Sequence, residues 1–249
     1  MLTTTNFVVV QPKGRGDRWP KLFETSHRAF IDYMRKRRVK TRKGRFPMVA
    51  IVFPDQQAMY AEFKKQDIKM KRVAGLYSGE SNRVMTHDGG RLEFIAATVR
   101  HEAAHQSAYN SGVHSRVNDT PRWITEGIGQ MFEPAAMTDA RTASTVVDRV
   151  NRDSLRFIQN KYNGRKDVRL SRAVMQLVSD DSMFDNQAQV AEAYAVSWAM
   201  MFYLAERDSQ AFAEILNFTA RRPPFDSYSR SERIRDFERI VGVDTFEFS

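Results

Sequence analysis

The sequence predicts an α+β fold: a small mixed sheet in the N-terminal half, then a mainly helical C-terminal half. Three observations lead there. Short β-branched apolar runs bounded by turn residues are confined to residues 1–90. From Leu92 onward, apolar residues recur at helical spacing with few Gly or Pro. Between the two patterns stands the chain-breaking Asp88-Gly89-Gly90. The expected organisation is one unit over 1–249, with a strand-bearing part at 1–90, a helical part at 91–249 and a cleft between them.

Taken in order, residues 6–10 (Asn-Phe-Val-Val-Val) predict a strand, and 21–38 a helix carried by Leu22, Phe23, His27, Phe30, Ile31 and Met34. The apolar run Met48–Phe53 ends at Pro54, which suits a buried strand. Asp55 then caps a helix bearing Ala58, Met59, Ala61 and Phe63. Val73–Tyr77 and Arg83–His87 predict two more strands around the turn at 78–82. Residues 92–109 form a strong helix without Gly or Pro. The next helix runs to Phe132, with Thr120 expected at the N-cap and Pro121 at the first helical position. Further helices are expected at 143–163, 170–178, 187–206, 209–220 and 230–240. Arg221-Arg222-Pro223-Pro224 ends one of them, and Phe246 and Phe248 suggest a docked tail.

Composition narrows the function classes. The 249 residues are 42% hydrophobic, with 17 Phe and 3 Trp, enough to bury a core. No apolar stretch is long enough to cross a bilayer as a helix. The absence of Cys excludes disulfides, thiolate metal sites and a Cys nucleophile together. The N-terminus, Met1-Leu-Thr-Thr-Thr-Asn, lacks the basic and apolar regions of a secretion signal, so an extracytoplasmic setting is favoured only if a leader was removed ahead of it.

Much of the net charge of +9 sits in the run Arg35–Arg45, which holds eight basic residues and no acid. Such a run attracts polyanions at low salt. It contains no aromatic for base stacking, so specific nucleic-acid binding is not expected, and a solvated helix end explains it equally well.

The chemistry concentrates in His101-Glu102-Ala103-Ala104-His105, an H-E-x-x-H pattern. Residues four apart on a helix share a face, so both imidazoles can reach one metal ion at about 2.0–2.1 Å. Glu102 projects beside that ion, where it can take a proton from metal-bound water. A third ligand is needed. The extended pattern H-E-x-x-H-x-x-G-x-x-H fails, because Ala108 and Ser111 stand at its last two positions. Glu126 lies on the next helix among Trp123, Ile124, Ile128 and Phe132, and a carboxylate in such company needs a partner. The competing reading is a surface Glu on an amphipathic helix. His114 and Asp119, between the helices, are further candidates as ligand or support. Gly127 and Gly129 permit close helix approach.

His101-Glu-Ala-Ala-His105 followed by Trp123-Ile-Thr-Glu-Gly127 resembles the gluzincin pattern of zinc metallopeptidases. More narrowly it is similar to the peptidase MA-like families, including a bacterial domain family of unknown function. Ala74-Gly-Leu-Tyr-Ser78, Asn82-Arg-Val84 and Tyr194-Ala-Val-Ser-Trp198 fit the same likeness, which spans roughly residues 45–205. The resemblance implies a zincin-like catalytic domain with Zn2+ held by His101, His105 and Glu126, and with Glu102 as general base and acid. It implies Tyr194 as a donor to the oxyanion, although Tyr194, Trp198 and Met201 also read as a core stripe. It further implies that Arg83, Val84 and Met85 form an exposed strand edge receiving a peptide or protein substrate, with His87 and Asp88 nearby. The chain has Thr125 where thermolysin-like enzymes have Asn. It lacks the Gly-x-Met-Glu-Asn segment of gluzincin aminopeptidases, which points to an endopeptidase. Two other functions compete with the hydrolase: a catalytically inactive zincin-like binding module, and a polyanion-binding protein using residues 35–45.

Overall fold

A computed structural model describes residues 1–69, 73–138, 145–163 and 167–249. Its strands are β1 (Leu2–Thr3), β2 (Phe7–Val10), β3 (Met48–Phe53), β4 (Gly75–Ser78) and β5 (Arg83–His87). Helices α1 (Arg18–Lys36) and α2 (Gln56–Lys65) lie among them, and α3 (Leu92–Ser111) follows β5. The chain continues through α4 (Arg122–Phe132), α5 (Arg152–Lys161), α6 (Val168–Ser179), α7 (Ser182–Asp185) and α8 (Val190–Arg207). It ends with α9 (Ser209–Ala220), α10 (Arg230–Val241) and α11 (Thr245–Phe248). The fold is therefore α+β, with a small mixed sheet in the N-terminal half and a mostly helical C-terminal half.

The five strands lie in the order β1-β2-β3-β5-β4. β2, β3 and β5 are parallel, while β1 and β4 run antiparallel to their neighbours. The period of two along each strand sorts side chains between two cores. Phe7, Val9, Met48, Ala50, Val52 and Val84 pack with Trp19 and Phe23 of α1 and with Ile95, Val99 and Ala103 of α3. Met85, with Ile51 and Phe53, meets Met59 and Phe63 of α2 on the other face. A third, larger cluster joins α4, α6, α8 and α9, and it reaches back to Phe30, Tyr33 and Met34 of α1. Helix α3 thus has the sheet on one side and α4 on the other.

Several expectations are corrected. The strand at 83–87 is not an edge: β5 is flanked by β3 and β4, and Val84 and Met85 are fully buried. Arg83, Val84 and Met85 therefore cannot offer free backbone to a substrate, and the sheet edge beside α3 is β4. Pro121, not Thr120, takes the N-cap of α4, and the Arg122 amide donates to Asp181 Oδ1 at 2.9 Å instead of to a local cap. The helix expected at 143–163 begins only at Arg152, capped by Asn151 and preceded by a short 3-10 turn at Val147–Arg149. Its first two residues, 143 and 144, lie outside the described residues. Phe248 docks against Tyr203 and Phe237, but Phe246 stays exposed.

The basic run is partly structural. α1 ends at Lys36. The Arg37 guanidinium then stacks 3.5 Å from the Tyr33 ring centroid and pairs with Glu206 at 2.6 Å. The Arg42 amide donates to Ser111 O, placing that cation at the C-terminal dipole end of α3.

Candidate metal centre

Three close approaches build the site. On α4, a Cβ at Gly127 would fall 2.6 Å from Ser197 O and Met201 Cγ of α8, so only glycine lets these helices pack at this distance. A Cβ at Gly129 would fall 2.6 Å from the His101 ring, so this glycine makes room for the imidazole. From the sheet side, a Cβ at Gly75 would fall 2.7 Å from Thr98 Cγ2 and 3.2 Å from Glu102 Cγ. β4 therefore closes on α3 at Thr98 and Glu102, and α4 closes on it at His101.

Between α3 and α4, His101 Nε2 and His105 Nε2 stand 2.9 Å apart. Glu126 Oε2 lies 3.4 Å from the first and 3.5 Å from the second. Among the described residues this is a group whose ligand atoms all lie within 4.8 Å of one another, and it can hold a metal ion. The carboxylate expected on the next helix therefore does converge with the imidazoles.

A hydrogen-bonded frame surrounds the trio. His101 Nδ1 donates to Glu133 Oε1 at 3.0 Å, which leaves Nε2 to face His105 and Glu126. Glu133 is itself held by Gln130 Nε2 at 2.8 Å and Asn151 Nδ2 at 2.9 Å, while its carbonyl accepts from Arg100 Nε at 2.7 Å. Sequence reasoning missed all four of these residues. A signal for Glu133 was present: it follows Glu126 by seven residues, two turns along one helical face.

The two acids beside the histidines differ. Burial opposes ionisation of Glu126, but the charge of His105 and hydrogen bonds from both imidazoles override it and hold its pKa far below the ordinary carboxylate value. Burial also raises Glu102, and although both histidines pull it down, the charge of Glu126 adds to the rise and the net shift is upward. Glu102 Oε2 accepts the Tyr77 backbone N–H of β4 at 2.7 Å. Burial opposes charge on His101, yet hydrogen bonds to Glu126 and Glu133 and the charge of Glu102 outweigh it, placing its pKa well above the usual histidine value.

Tyr194 of α8 is brought to the centre, with its ring centroid 6.4 Å from that of His101. Burial, then the charges of Glu126 and Glu102, push its hydroxyl pKa up, so it stays a protonated donor. The other candidates fall away as ligands. Asp119 turns to Arg233 at 3.3 Å. His114 is buried edge-on against Tyr109, and neither ring nitrogen has a partner among the described residues. His87 Nδ1 accepts from the Gly89 amide, and Asp88 pairs with Arg15 at 2.7 Å.

A family profile described as "Protein of unknown function (DUF1570)" matches residues 95–226, just over half of the chain, and these residues include every member of the trio. Two proteins of Bombyx mori, named Antichymotrypsin-2 and Antitrypsin, are each 23% identical over 128 residues, or 49% of this chain. The matches cover 32% and 31% of those proteins, so the chain spans about a third of the length of the curated relatives it matches.

Proposed function

We propose that this chain, which belongs to the DUF1570 family, is a zinc-dependent metallopeptidase of gluzincin type that cleaves within peptide chains. The observation that carries this reading is the convergence of His101, His105 and Glu126 within 4.8 Å, with Glu102 beside the first imidazole. Two imidazoles and one carboxylate, with no thiolate, are a donor set suited to zinc with a fourth position left open for chemistry. When bound, such an ion lowers the pKa of a water to about 7 and polarises a carbonyl.

The chain's own groups supply the rest. Glu102, whose pKa burial raises above the ordinary carboxylate value, accepts a proton from the attacking water and passes it to the leaving amine. The Tyr77 amide fixes the orientation of its carboxylate. The hydroxyl of Tyr194, kept protonated, donates to the oxygen that becomes negative as the carbonyl carbon turns tetrahedral. β4, as the sheet edge beside α3, can take an extended peptide by strand addition.

Protein purified without added metal is expected to carry about one zinc per chain. It should cleave internally quenched peptides, lose that activity with a chelator and regain it with zinc. Full zinc occupancy combined with no cleavage across a broad peptide library would instead identify an inactive binding module.

A further inference from the structure

The surface around Tyr77 carries a cation with no counterion among the described residues. Tyr109 follows His105 by four residues, so it stands one turn further along the same face of α3. Tyr77, whose amide holds Glu102, stacks its ring on Tyr109 with centroids 5.5 Å apart. Arg116, from the loop between α3 and α4, completes this surface. Its Nη2 donates to Tyr77 Oη at 3.0 Å and to Asn82 Oδ1 at 2.7 Å, and its guanidinium carbon lies 5.8 Å from the Tyr109 ring centroid.

The surface is preorganised. Asn82 takes a left-handed φ of 54° at the β4–β5 turn, a conformation Asn tolerates better than most residues. Asn110 Nδ2 donates to Asn82 Oδ1 at 2.8 Å, and Gln106 Nε2 donates to Asn82 O at 2.7 Å. The loop bearing Arg116 is braced from outside. Phe225 N donates to Val117 O at 2.7 Å, and Asn118 Nδ2 donates to Arg222 O at 2.7 Å.

Three arginines near this loop are paired: Arg122 with Asp185, Arg222 with Asp226, and Arg233 with Asp119 and Asp181. Arg116 is exposed, and among the described residues no carboxylate lies within 4.0 Å of it. Its two hydrogen bonds go to neutral oxygens through one nitrogen, which leaves Nε and Nη1 without a hydrogen-bond partner among the described residues. A planar fork held in place, uncompensated, on the ring of the residue whose amide meets Glu102 is suited to a carboxylate partner.

We propose that Arg116, framed by Tyr77 and Tyr109, is the specificity-determining residue of the site, and that it binds a carboxylate of the peptide laid along β4. This rests on the hydrolase reading and names its substrate class, acidic peptides. The carboxylate has two sources, an Asp or Glu side chain or the substrate's own C-terminus.

The test uses acetylated, amidated decapeptides in which Glu or Gln is placed at one position at a time, plus a Gln series with a free C-terminus. Binding is measured by calorimetry on zinc-loaded Glu102→Gln protein, and cleavage on the wild type. Glu at one position, or the free C-terminus, is expected to bind on the order of tenfold tighter than its neutral counterpart. Arg116→Met should erase that preference, while Arg116→Lys, which keeps the charge but loses the fork, should retain part of it. No preference for a carboxylate anywhere, or one unchanged in Arg116→Met, overturns the proposal. Cleavage indifferent to charge would overturn this subsite and leave the hydrolase standing. Carboxylate-selective binding without cleavage would uphold the subsite and remove the hydrolase.

Discussion

The two sides of α3 treat a buried carboxylate in opposite ways. On the α4 side, Glu126 meets two α3 imidazoles within 3.5 Å, and its pKa is held far down. Facing the sheet, Glu102 meets a single backbone amide, and burial together with the nearby negative charge of Glu126 raises it. Burial pushes both upward, so it cannot explain the difference; the partners do. One carboxylate is kept ionised, as a metal ligand must be, and the other is shifted the opposite way, as the proposed proton acceptor requires. Environments that drive neighbouring acids apart are how a site assigns its roles.

Exchanging each carboxylate for its amide breaks this comparison most directly. Glu102→Gln keeps the shape and removes the proton acceptor, so peptide cleavage should fall by about 10²–10⁴ while zinc affinity stays within a few-fold. Glu126→Gln removes a charged ligand, so zinc affinity itself should drop by more than about a hundredfold, beyond the usual cost of losing a supporting residue. Competition with a chromophoric chelator measures affinity, and a quenched peptide measures cleavage. Equal loss of zinc in the two variants would dissolve the division of labour.

Glu133 sharpens the comparison on the ligand side alone. Its carboxylate fixes His101 through Nδ1 and is fixed in turn by Gln130 and Asn151. Glu133→Gln should cost roughly 10–100-fold in zinc affinity, read by the same chelator competition, without altering the pH profile set by Glu102. A loss as large as that of Glu126→Gln would make Glu133 a ligand in its own right.

How much of this was legible depends on how local each cause is. The histidine pair and Glu102 share one helical turn, and Glu126 and its two glycines sit within four residues of one another, so a short motif, local apolar company and a family likeness reach them. The cap of α4 is supplied by Asp181, far along the chain, and nothing near Thr120 announces it. Strand order is equally non-local. β3, β4 and β5 follow one another in sequence, but β5 pairs with β3 and pushes β4 to the edge, so an accurate strand assignment still misplaced the exposed edge. Asn82 and Arg116 meet only because the β4–β5 turn and the α3–α4 loop arrive at the same place.

The smallest effect at neutral pH belongs to His114, the imidazole that both sides leave unused. Burial, reinforced by the charge of His105, lowers its pKa to about 3, and its nitrogens have no partner among the described residues. At pH 7 the ring is neutral in the folded and unfolded chain alike, so His114→Leu should change stability little, because it removes unpaired polar atoms along with packing. In acid the sign is set by the depressed pKa. Below about 6.5 the unfolded chain takes up a proton that the folded chain refuses until about pH 3, so stability falls with pH by roughly 1.4 kcal/mol per unit across that window. His114→Leu should flatten this part of the acid limb by that slope in urea melts of the metal-free protein. An unchanged limb would mean that His114 finds a partner in solution, and would bring it back into contention as support for His105.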